Sequence, residues 1–234
     1  MFINYAHRGA SEYRPENTMS SFQLGIKMGA NGIETDIRRS RDGLLVLFHD
    51  DTLERVTGES GSVSDYTYAE LSKFNVYDKS GKYTDKIVLF EDFLKAFSPT
   101  KLYFAIELKE KNCEEEVLDL LEKYNMREKC TITSFCFEYI KNIKKLDCRY
   151  KTGFLCDAPD EEKISDMKSI ACEEVCPKAD LINRENVALW HGYGFNVRAW
   201  GVADTNLMER IYDLGVDGMT VNFPDRLEEY KKQR

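Results

Sequence analysis

The sequence lacks two features that would place it in a membrane or on a nucleic acid. No apolar run approaches the ~20 residues that a transmembrane helix requires, and residues 1–17 contain neither the apolar core nor the small-residue cleavage site of a secretory signal. Basic residues are in deficit, 33 against 41 acidic ones, which gives a net charge of -8. Nucleic-acid-binding domains usually carry a basic excess. We therefore expect no stable membrane insertion and no nucleic-acid partner.

A disulfide framework is not indicated either. The seven cysteines are an odd number scattered along the chain, and without a visible export signal we expect reduced thiols in a cytoplasmic protein. Cys172 and Cys176 have no second ligand pair elsewhere, so we expect no zinc site there. Internal repeats, low-complexity tracts and linkers are missing as well, which favours one domain over residues 1–234.

Short apolar runs alternate with helical patterns almost throughout the chain. Alternation of this kind with short loops is typical of parallel βαβ units. The predicted strands are Ile3–Ala6, Gly32–Ile37, Leu102–Glu107, Cys130–Ser134, Lys151–Leu155, Glu174–Cys176, Asn196–Val202 and Gly218–Asn222. The predicted helices are Thr18–Met28, Glu91–Phe97, Cys113–Tyr124, Phe137–Leu146, Glu161–Ile170, Glu185–Tyr193 and Asn206–Leu214.

The apolar run Leu44–Phe48 does not fit as a ninth parallel strand. A parallel crossover needs a dozen or more residues, and only about six separate this run from Gly32–Ile37. We interpret it as the return arm of a hairpin. Eight strands then remain, the number that closes a (β/α)8 TIM barrel, a fold of ~250 residues. The sequence therefore predicts an α/β fold with a single barrel and a hairpin after its second strand.

The hairpin predicts a local cluster of chemically active groups. Asp42-Gly43 between alternating apolar runs is a strong turn signal. If these two residues occupy the centre of the turn, counting back places His49 directly opposite Asp36. Glu34 lies two residues before Asp36, so in a strand both side chains point to the same face. The alternative is an ordinary surface hairpin with scattered charges.

One long irregular stretch follows the hairpin. Asp51–Lys86 is rich in Ser, Gly, Thr, Tyr and Asp, with a short helical pattern near Tyr68–Phe74. Long loops are usually functional or disordered. We expect an insertion over about residues 51–88 that lies above the barrel mouth on the substrate side.

Three acidic residues fall near the carboxyl ends of the second and third barrel strands, Glu34, Asp36 and Glu107. Catalytic groups of such barrels come from these strand ends, so the three carboxylates are expected to meet. They would repel one another unless protonated or bridged by a cation. Oxygen ligands favour Mg²⁺ or Ca²⁺ over Zn²⁺, and the sequence does not choose between the two. The alternative is a salt-bridge network with neighbouring cations, namely Arg8, Arg38 and Lys109.

Two of the three histidines, His7 and His49, fall at the same predicted mouth. A histidine pair beside one reaction centre can serve as general acid and general base near neutral pH. His191 ends a helix and is interpreted as structural.

Arg8 and Lys109 add positive charge beside the acids. Arg binds phosphate in a bidentate manner and Lys supplies a point charge. Together with a metal they indicate phosphodiester cleavage. An aldolase or isomerase barrel fits less well, because nothing singles out Lys109 as a Schiff-base lysine.

These residues resemble the glycerophosphodiester phosphodiesterase family. The resemblance covers nearly the whole chain, and the motifs occur in the family's order. They are His7-Arg8-Gly9-Ala10, Pro15-Glu16-Asn17-Thr18, Gly32-Ile33-Glu34-Thr35-Asp36, His49-Asp50, Glu107-Leu108-Lys109, the strand that holds Trp200, and Leu214-Gly215-Val216-Asp217-Gly218-Met219.

The resemblance implies a barrel of the type shared with phosphatidylinositol-specific phospholipases C. It implies a divalent metal held at Glu34, Asp36 and Glu107, an acid/base pair at the two mouth histidines, and phosphate contacts from Arg8 and Lys109. Further roles follow for two positions. Glu16 would support the loop at residues 7–9, and Trp200 would line the glycerol pocket, its alternative being a barrel-core aromatic. Asn17 and Thr18 are interpreted as helix-start residues.

The implied reaction splits a glycerophosphodiester into sn-glycerol 3-phosphate and an alcohol such as choline or ethanolamine. The attacking group is water or the substrate's own 2-hydroxyl, which would give a cyclic phosphate first. Lysophospholipase D or phospholipase C-like activity on lipids is one alternative, and a non-catalytic barrel is another. A homo-oligomer is compatible with the sequence, which does not fix the oligomeric state.

The chain departs from the family pattern at two places. Ala203-Asp204 stands where Asn is usual after the Trp200 strand, and Asn222 stands where Asp is common. We expect both to lie away from the metal and the histidines. They would then affect the specificity for the glycerol or the alcohol more than the chemistry.

Overall fold

Eight parallel strands close into the predicted barrel. The computed structural model describes all of residues 1–234. The strands in chain order are β1 (Ile3–His7), β2 (Gly32–Arg39), β3 (Leu45–Leu47), β4 (Asn75–Tyr77), β5 (Thr84–Lys86), β6 (Val88–Leu89), β7 (Tyr103–Leu108), β8 (Cys130–Ser134), β9 (Lys151–Cys156), β10 (Glu174–Pro177), β11 (Asn196–Ala199) and β12 (Gly218–Val221). Strands β1, β2 and β7 to β12 pair in parallel around the ring, and the pairing of β1 with both β12 and β2 closes it. The predicted (β/α)8 fold is confirmed.

Ten α-helices accompany the strands, eight of them forming the outer layer. They are α1 (Met19–Lys27), α2 (Glu54–Thr57), α3 (Tyr68–Leu71), α4 (Phe90–Phe97), α5 (Glu114–Lys123), α6 (Phe137–Leu146), α7 (Glu161–Ser169), α8 (Arg184–Gly192), α9 (Thr205–Asp213) and α10 (Pro224–Lys232). The seven predicted helices match α1 and α4 to α9 within one or two residues. None of the ten is both long enough and apolar enough to cross a membrane.

The last helix, α10, was not predicted. Its mean hydropathy is low, so the usual apolar stripe is weak. Two signals nevertheless mark it. Pro224 occupies the first turn, where its missing N–H costs nothing. Leu227 is fully buried and Tyr230, three residues later, packs edge-on against Tyr212 of α9.

The main apolar core lies between the outer faces of the strands and the surrounding helices. Phe93 of α4 is its centre on one side, with edge-to-face contacts to Phe22 of α1 and Phe104 of β7. The inside of the barrel is more polar. Arg198 of β11 is buried there and donates from Nε to Glu174 of β10 over 2.9 Å. This buried pair lies beneath the mouth.

The hairpin after β2 forms, but with a different register from the predicted one. Ser40 and Leu44 close a three-residue loop in which Gly43 has a φ of +87°. Loops of this length are typically a type I turn followed by one residue in the left-handed conformation. The predicted loop had two residues. Asp36 therefore faces Phe48, whose N–H donates to the Asp36 carbonyl over 3.1 Å, and the expectation that His49 lies directly opposite Asp36 is wrong.

The insertion is more ordered than an irregular loop. It contains α2, α3 and the two-stranded ribbon β4–β5, and it ends at β6, which pairs with β3. Leu53, Leu71, Val76 and Ile87 of the insertion form a small apolar cluster together with Val46 of β3. The insertion packs at the mouth against the segment between β1 and α1, where Arg14 stacks on Tyr83, and against the start of α1, where Asp85 accepts from the Ser20 N–H.

Candidate active site

The carboxyl ends of three neighbouring strands bring the predicted acids and the first histidine together. His7 of β1 is in register with Glu34 of β2, and Asp36 is in register with Glu107 of β7. Glu34 and Asp36 share the inner face of β2 because side chains alternate along a strand. The alternation along β2 sets the shared face, and the parallel pairing of β2 with β1 and β7 brings these four side chains to one mouth.

Glu34, Asp36 and Glu107 form a compact, buried cluster. One oxygen from each carboxylate lies within 4.8 Å of the others. Burial and the neighbouring acids raise the pKa of Glu34 well above its usual value, and the same causes raise the pKa of Glu107 to about 7. Burial also opposes ionisation of Asp36, but Arg8 and Lys109 hold the pKa of this carboxyl below its usual range. The cluster thus favours a bound proton or cation at neutral pH.

Two cations face this cluster. Arg8 Nε lies 3.1 Å from Asp36 Oδ2, and Lys109 Nζ lies 2.5 Å from Glu107 Oε1 and 3.5 Å from Asp36 Oδ1. Part of the alternative salt-bridge network is therefore present. Arg38 does not take part, because its guanidinium pairs with Asp51 and Glu110 outside the cluster.

The charges of Arg8 and Lys109 do not neutralise all three carboxylates. One negative charge remains when all three are ionised, and the buried Asp36 Oδ1 has no hydrogen-bond partner. A buried acceptor without a partner is costly. Carboxylate oxygens at this spacing are the donor set that hard divalent cations prefer. The residues present therefore fit a divalent metal.

The segment after β1 holds the cluster in place through unusual backbone conformations. Arg8 and Asn17 both have a φ of +56°, and Gly9 has a φ of +86°. A Cβ on Gly9 would lie 2.2 Å from Ser21 Oγ of α1, so the loop packs directly on that helix. Thr18 caps α1 as predicted. Asn17 does more than start the helix, since its Nδ2 donates to Asp36 Oδ2 over 2.9 Å.

His7 is fixed by a residue from the far end of the chain. Its Nδ1 lies 2.7 Å from Asn222 Oδ1, which also accepts from Ser11 Oγ. An amide oxygen only accepts, so Nδ1 carries the proton and Nε2 is the free ring nitrogen. Burial, followed by the charge of Arg8, lowers the pKa of His7 to about 3. Nε2 lies 3.8 Å from Glu34 Oε2.

His49 is fixed by the residue that follows it. Its Nδ1 lies 2.6 Å from Asp50 Oδ1, and Arg55 of the insertion pairs with the other Asp50 oxygen. Arg38 donates to the His49 carbonyl through Nε and Nη2, which holds the backbone just beyond the end of β3. Burial lowers the pKa of His49, while the nearby Asp36 and Asp50 carboxylates oppose this shift.

Six of the predicted site residues line one cleft of about 180 Å³, namely His7, Arg8, Glu34, His49, Glu107 and Lys109, and Asp36 lies directly behind them. Its opposite wall is aromatic, with Phe135 and Trp200 in edge-to-face contact at a centroid distance of 5.0 Å. Trp200 is half-buried and donates from Nε1 to the Cys156 carbonyl over 2.9 Å. It therefore lines the cleft and is not a barrel-core aromatic. All lining residues lie outside residues 51–88.

A sequence model of the glycerophosphoryl diester phosphodiesterase family matches residues 7–226. The chain belongs to this family. It is accordingly an enzyme of the phosphoric diester hydrolase class.

Individual family members resemble the chain over nearly its whole length. A glycerophosphodiester phosphodiesterase of Bacillus subtilis is 30% identical, with 98% of this chain and 86% of that protein aligned. One from Caldanaerobacter subterraneus is also 30% identical, with 95% and 94% aligned. A phosphodiesterase of Oleispira antarctica, solved with the product sn-glycerol-3-phosphate, superposes with a TM-score of 0.87 at 23% identity, covering 97% of this chain and 96% of that one.

One of the two departures from the family pattern lies elsewhere than expected. Asn222 was expected away from the histidines, but it is the direct partner of His7 Nδ1. The expectation failed because 215 residues separate the two in sequence, and the pairing of β1 with β12 brings them together. Asp204 does lie apart from the cleft, since it caps α9 by accepting from the Leu207 N–H.

The structure brings all nine predicted site residues of this family member to the mouth. Glu16 accepts from Arg8 Nη1 over 2.8 Å and from Arg55, so it links the loop at residues 7–9 to the insertion. His191 lies at the opposite end of the barrel, 2.8 Å from Asp217. Sequence reasoning missed the roles of Asn17, Asp50 and Asn222. Asp50 alone had a local signal, its position beside His49.

Proposed function

We propose that this enzyme hydrolyses small glycerophosphodiesters to sn-glycerol 3-phosphate and an alcohol, with a divalent metal and two histidines. The observation that carries the proposal is the single cleft in which a buried carboxylate triad, two cations and two imidazoles converge. The product bound to the Oleispira antarctica relative is in keeping with this substrate class.

Glu34, Asp36 and Glu107 would hold the metal, either Mg²⁺ or Ca²⁺. Such an ion supplies Lewis-acid stabilisation of the negative charge that develops on the phosphoryl oxygens. Arg8 and Lys109 line the same cleft and add two positive charges toward the phosphate. Their contacts with the carboxylates support this role, because both cations lie directly beside the proposed metal ligands.

The two histidines have different partners, and we assign their roles from that difference. The Asp50 carboxylate stabilises the imidazolium of His49, whereas the partner of His7 is an uncharged amide, and burial together with the charge of Arg8 lowers the pKa of His7 and keeps that ring neutral. His7 Nε2 would take the proton of the attacking hydroxyl, whether of water or of the substrate glycerol. His49 would donate a proton to the departing alkoxide.

Release of sn-glycerol 3-phosphate from glycerophosphocholine, in a coupled assay with Mg²⁺ or Ca²⁺, tests this function. His7→Ala and His49→Ala should each lose roughly 10²- to 10⁴-fold in kcat. His191→Ala is the matched control, because this histidine lies at the other end of the barrel. Folded variants that keep full activity would refute the catalytic pair. Full turnover after exhaustive chelation would refute the metal.

The leaving group separates the two histidines. With a 4-nitrophenyl ester of glycerol phosphate the departing phenolate needs no proton, so His49→Ala should recover most of its activity and His7→Ala should not. The opposite result would exchange the two roles. Lysophosphatidylcholine belongs in the same panel, and its preferential cleavage would favour lysophospholipase D activity instead.

Three further proposals concern the domain organisation, the cellular location and the oligomeric state. We infer that the chain works as one domain, with residues 51–88 bracing the mouth through Arg55 and Asp85. All seven thiols are free and four are buried, which is in keeping with a reducing cytoplasm. Cell fractionation tests the location, and analytical ultracentrifugation tests the predicted capacity for homo-oligomers.

A further inference from the structure

The floor of the cleft contains one polar group that the proposed mechanism does not use. Thr133 of β8 is buried, with 1% of its surface exposed, and it lines the cleft. Its Oγ1 has no hydrogen-bond partner in the protein. Buried hydroxyls are nearly always hydrogen-bonded, so a hydroxyl of this kind that borders a cleft is placed for a ligand.

The orientation of Thr133 follows from the neighbouring strand. Gly153 of β9 is in register with Thr133, and a Cβ on Gly153 would lie only 3.1 Å from the Thr133 methyl. The methyl therefore occupies the space that the glycine leaves between the strands. On the other side Thr133 is in register with Glu107, one of the clustered acids. Thr133 is thus held beside a residue of the carboxylate cluster, with its methyl group toward β9.

A buried guanidinium shares this floor. Arg198 lines the cleft and donates to Glu174 from Nε and to Cys176 Sγ from Nη2. Its Nη1 makes no hydrogen bond within the protein, and a guanidinium has five N–H donors. The floor therefore offers one hydroxyl and one cationic donor group. A quaternary ammonium such as choline neither donates nor accepts an ordinary hydrogen bond, whereas a hydroxyl does both and so matches these two groups.

We propose that Thr133 and Arg198 form a hydroxyl subsite that binds the terminal hydroxyl of the substrate's glycerol, which makes Thr133 a specificity-determining residue. The assignment rests on the proposed function. The glycerol 2-hydroxyl stays beside the phosphate, so the terminal hydroxyl is the group free to reach the floor. An acyl chain on that hydroxyl would have to displace the side chains of the floor, where Thr133 and Arg198 are both buried. The subsite therefore selects unacylated glycerol and leaves the other alcohol at the rim.

The test compares two substrates in the metal-loaded full-length enzyme. One is glycerophosphocholine, and the other is its analogue built on propane-1,2-diol, which lacks only the terminal hydroxyl. The parent should prefer glycerophosphocholine in kcat/KM by at least about tenfold, as expected for the loss of one buried hydrogen bond. Thr133→Val should abolish most of this preference, and Thr133→Ser should restore it.

Matched controls separate the subsite from folding and from general activity. Thr131 is on the same inner face of β8 but lines a cavity at the other end of the barrel, so Thr131→Val should keep the preference. Thr133→Val should unfold at the same or a higher temperature, because it removes a hydroxyl without a partner. It should weaken inhibition by sn-glycerol 3-phosphate about tenfold and leave inhibition by inorganic phosphate unchanged.

Each outcome has a distinct meaning. If Thr133→Val keeps the parent's preference for the glycerol substrate, the subsite is refuted and the phosphodiesterase function stands. If the parent cleaves neither compound, the proposed function itself is refuted and the subsite with it.

Discussion

At the residue scale, Asp36 is the most constrained group of the cleft. It is fully buried, and its Oδ2 accepts from Asn17 Nδ2 over 2.9 Å and forms an ion pair with Arg8, whose Nε lies 3.1 Å away. Asn17 is itself fixed, because its Oδ1 accepts from Thr35 Oγ1 over 2.8 Å. This leaves Asp36 Oδ1 as the oxygen available to a cation. Contacts of this kind orient the ligands of a metal and tune its affinity.

Removal of the Asn17 amide should therefore weaken metal binding. Asn17→Gly keeps the left-handed backbone at a φ of +56° without strain and removes only the side chain. We expect the dissociation constant for the activating metal to rise roughly 10- to 100-fold. Calorimetric titration with Mg²⁺ and Ca²⁺ measures this. Asn17→Ala removes the same amide but adds backbone strain of ~1 kcal/mol. If the two variants bind the metal equally and only Asn17→Ala is less stable, the loss of affinity comes from the amide and not from the backbone.

At the scale of single elements, strand β2 and its hairpin supply most of the chemistry. Glu34 and Asp36 come from the strand, and the return arm brings His49 back to the same mouth. The three-residue loop sets the pairing, and β3 ends at Leu47. His49 is therefore free of the sheet, and Arg38 holds its carbonyl at the mouth.

The left-handed conformation of Gly43 should be needed for this hairpin. A Cβ at position 43 meets nothing within 4 Å, so Gly43→Ala changes only the backbone preference. We expect the free energy of unfolding to fall by about 1 kcal/mol. Gly192→Ala is the control, because this helical glycine also has open space and an ordinary φ, and alanine should stabilise it by ~0.5 kcal/mol. Urea unfolding measures the free energy of unfolding of both variants, and a change of the same sign in the two would contradict this explanation.

At the scale of the whole molecule, Glu16 connects three segments that are distant in sequence. It accepts from Arg8 at the end of β1 and from Arg55 in the insertion, and Arg55 continues to Asp50 beside His49. Burial alone would raise the pKa of Glu16, but hydrogen bonds from Arg55 and the charge of Arg8 lower it to about 2. The ionised carboxylate thus couples the insertion to both histidine loops.

The stabilisation from Glu16 should depend on pH. A folded-state pKa of about 2 against an ordinary value of 4.5 means that the carboxylate stabilises the fold above about pH 4.5 and loses this effect as the pH falls toward 2. We expect Glu16→Gln to cost roughly 2 kcal/mol at pH 7 and little near pH 2. Urea unfolding over this range measures the difference.

An exposed ion pair provides the comparison for Glu16. Glu12 pairs with Lys79 of the insertion over 3.0 Å, and the two side chains are 36% and 64% exposed, respectively. Exposed pairs of this kind contribute about 0–1 kcal/mol, so Glu12→Gln should change stability little at any pH. A Glu16→Gln effect as small as that of Glu12→Gln, or one that does not vary with pH, would contradict the linking role.

The sequence by itself determined what depends on periodicity and short-range order. The alternation of apolar runs with helical patterns gave the eight barrel strands. The spacing of Glu34 and Asp36 placed both carboxylates on one face of β2. The order of the motifs indicated the family and the strand ends at which its residues meet. These features follow from chain geometry that is the same in every parallel barrel.

The tertiary structure decided which groups touch and with what consequence. The partner of His7 is Asn222, 215 residues away, and no local pattern specifies that contact. The hairpin register depended on one extra loop residue. Thr133 became a candidate contact for substrate because the protein leaves its buried hydroxyl without a partner. Hydrogen bonds act over about 3 Å, a scale that is set by packing between distant segments and not by sequence spacing.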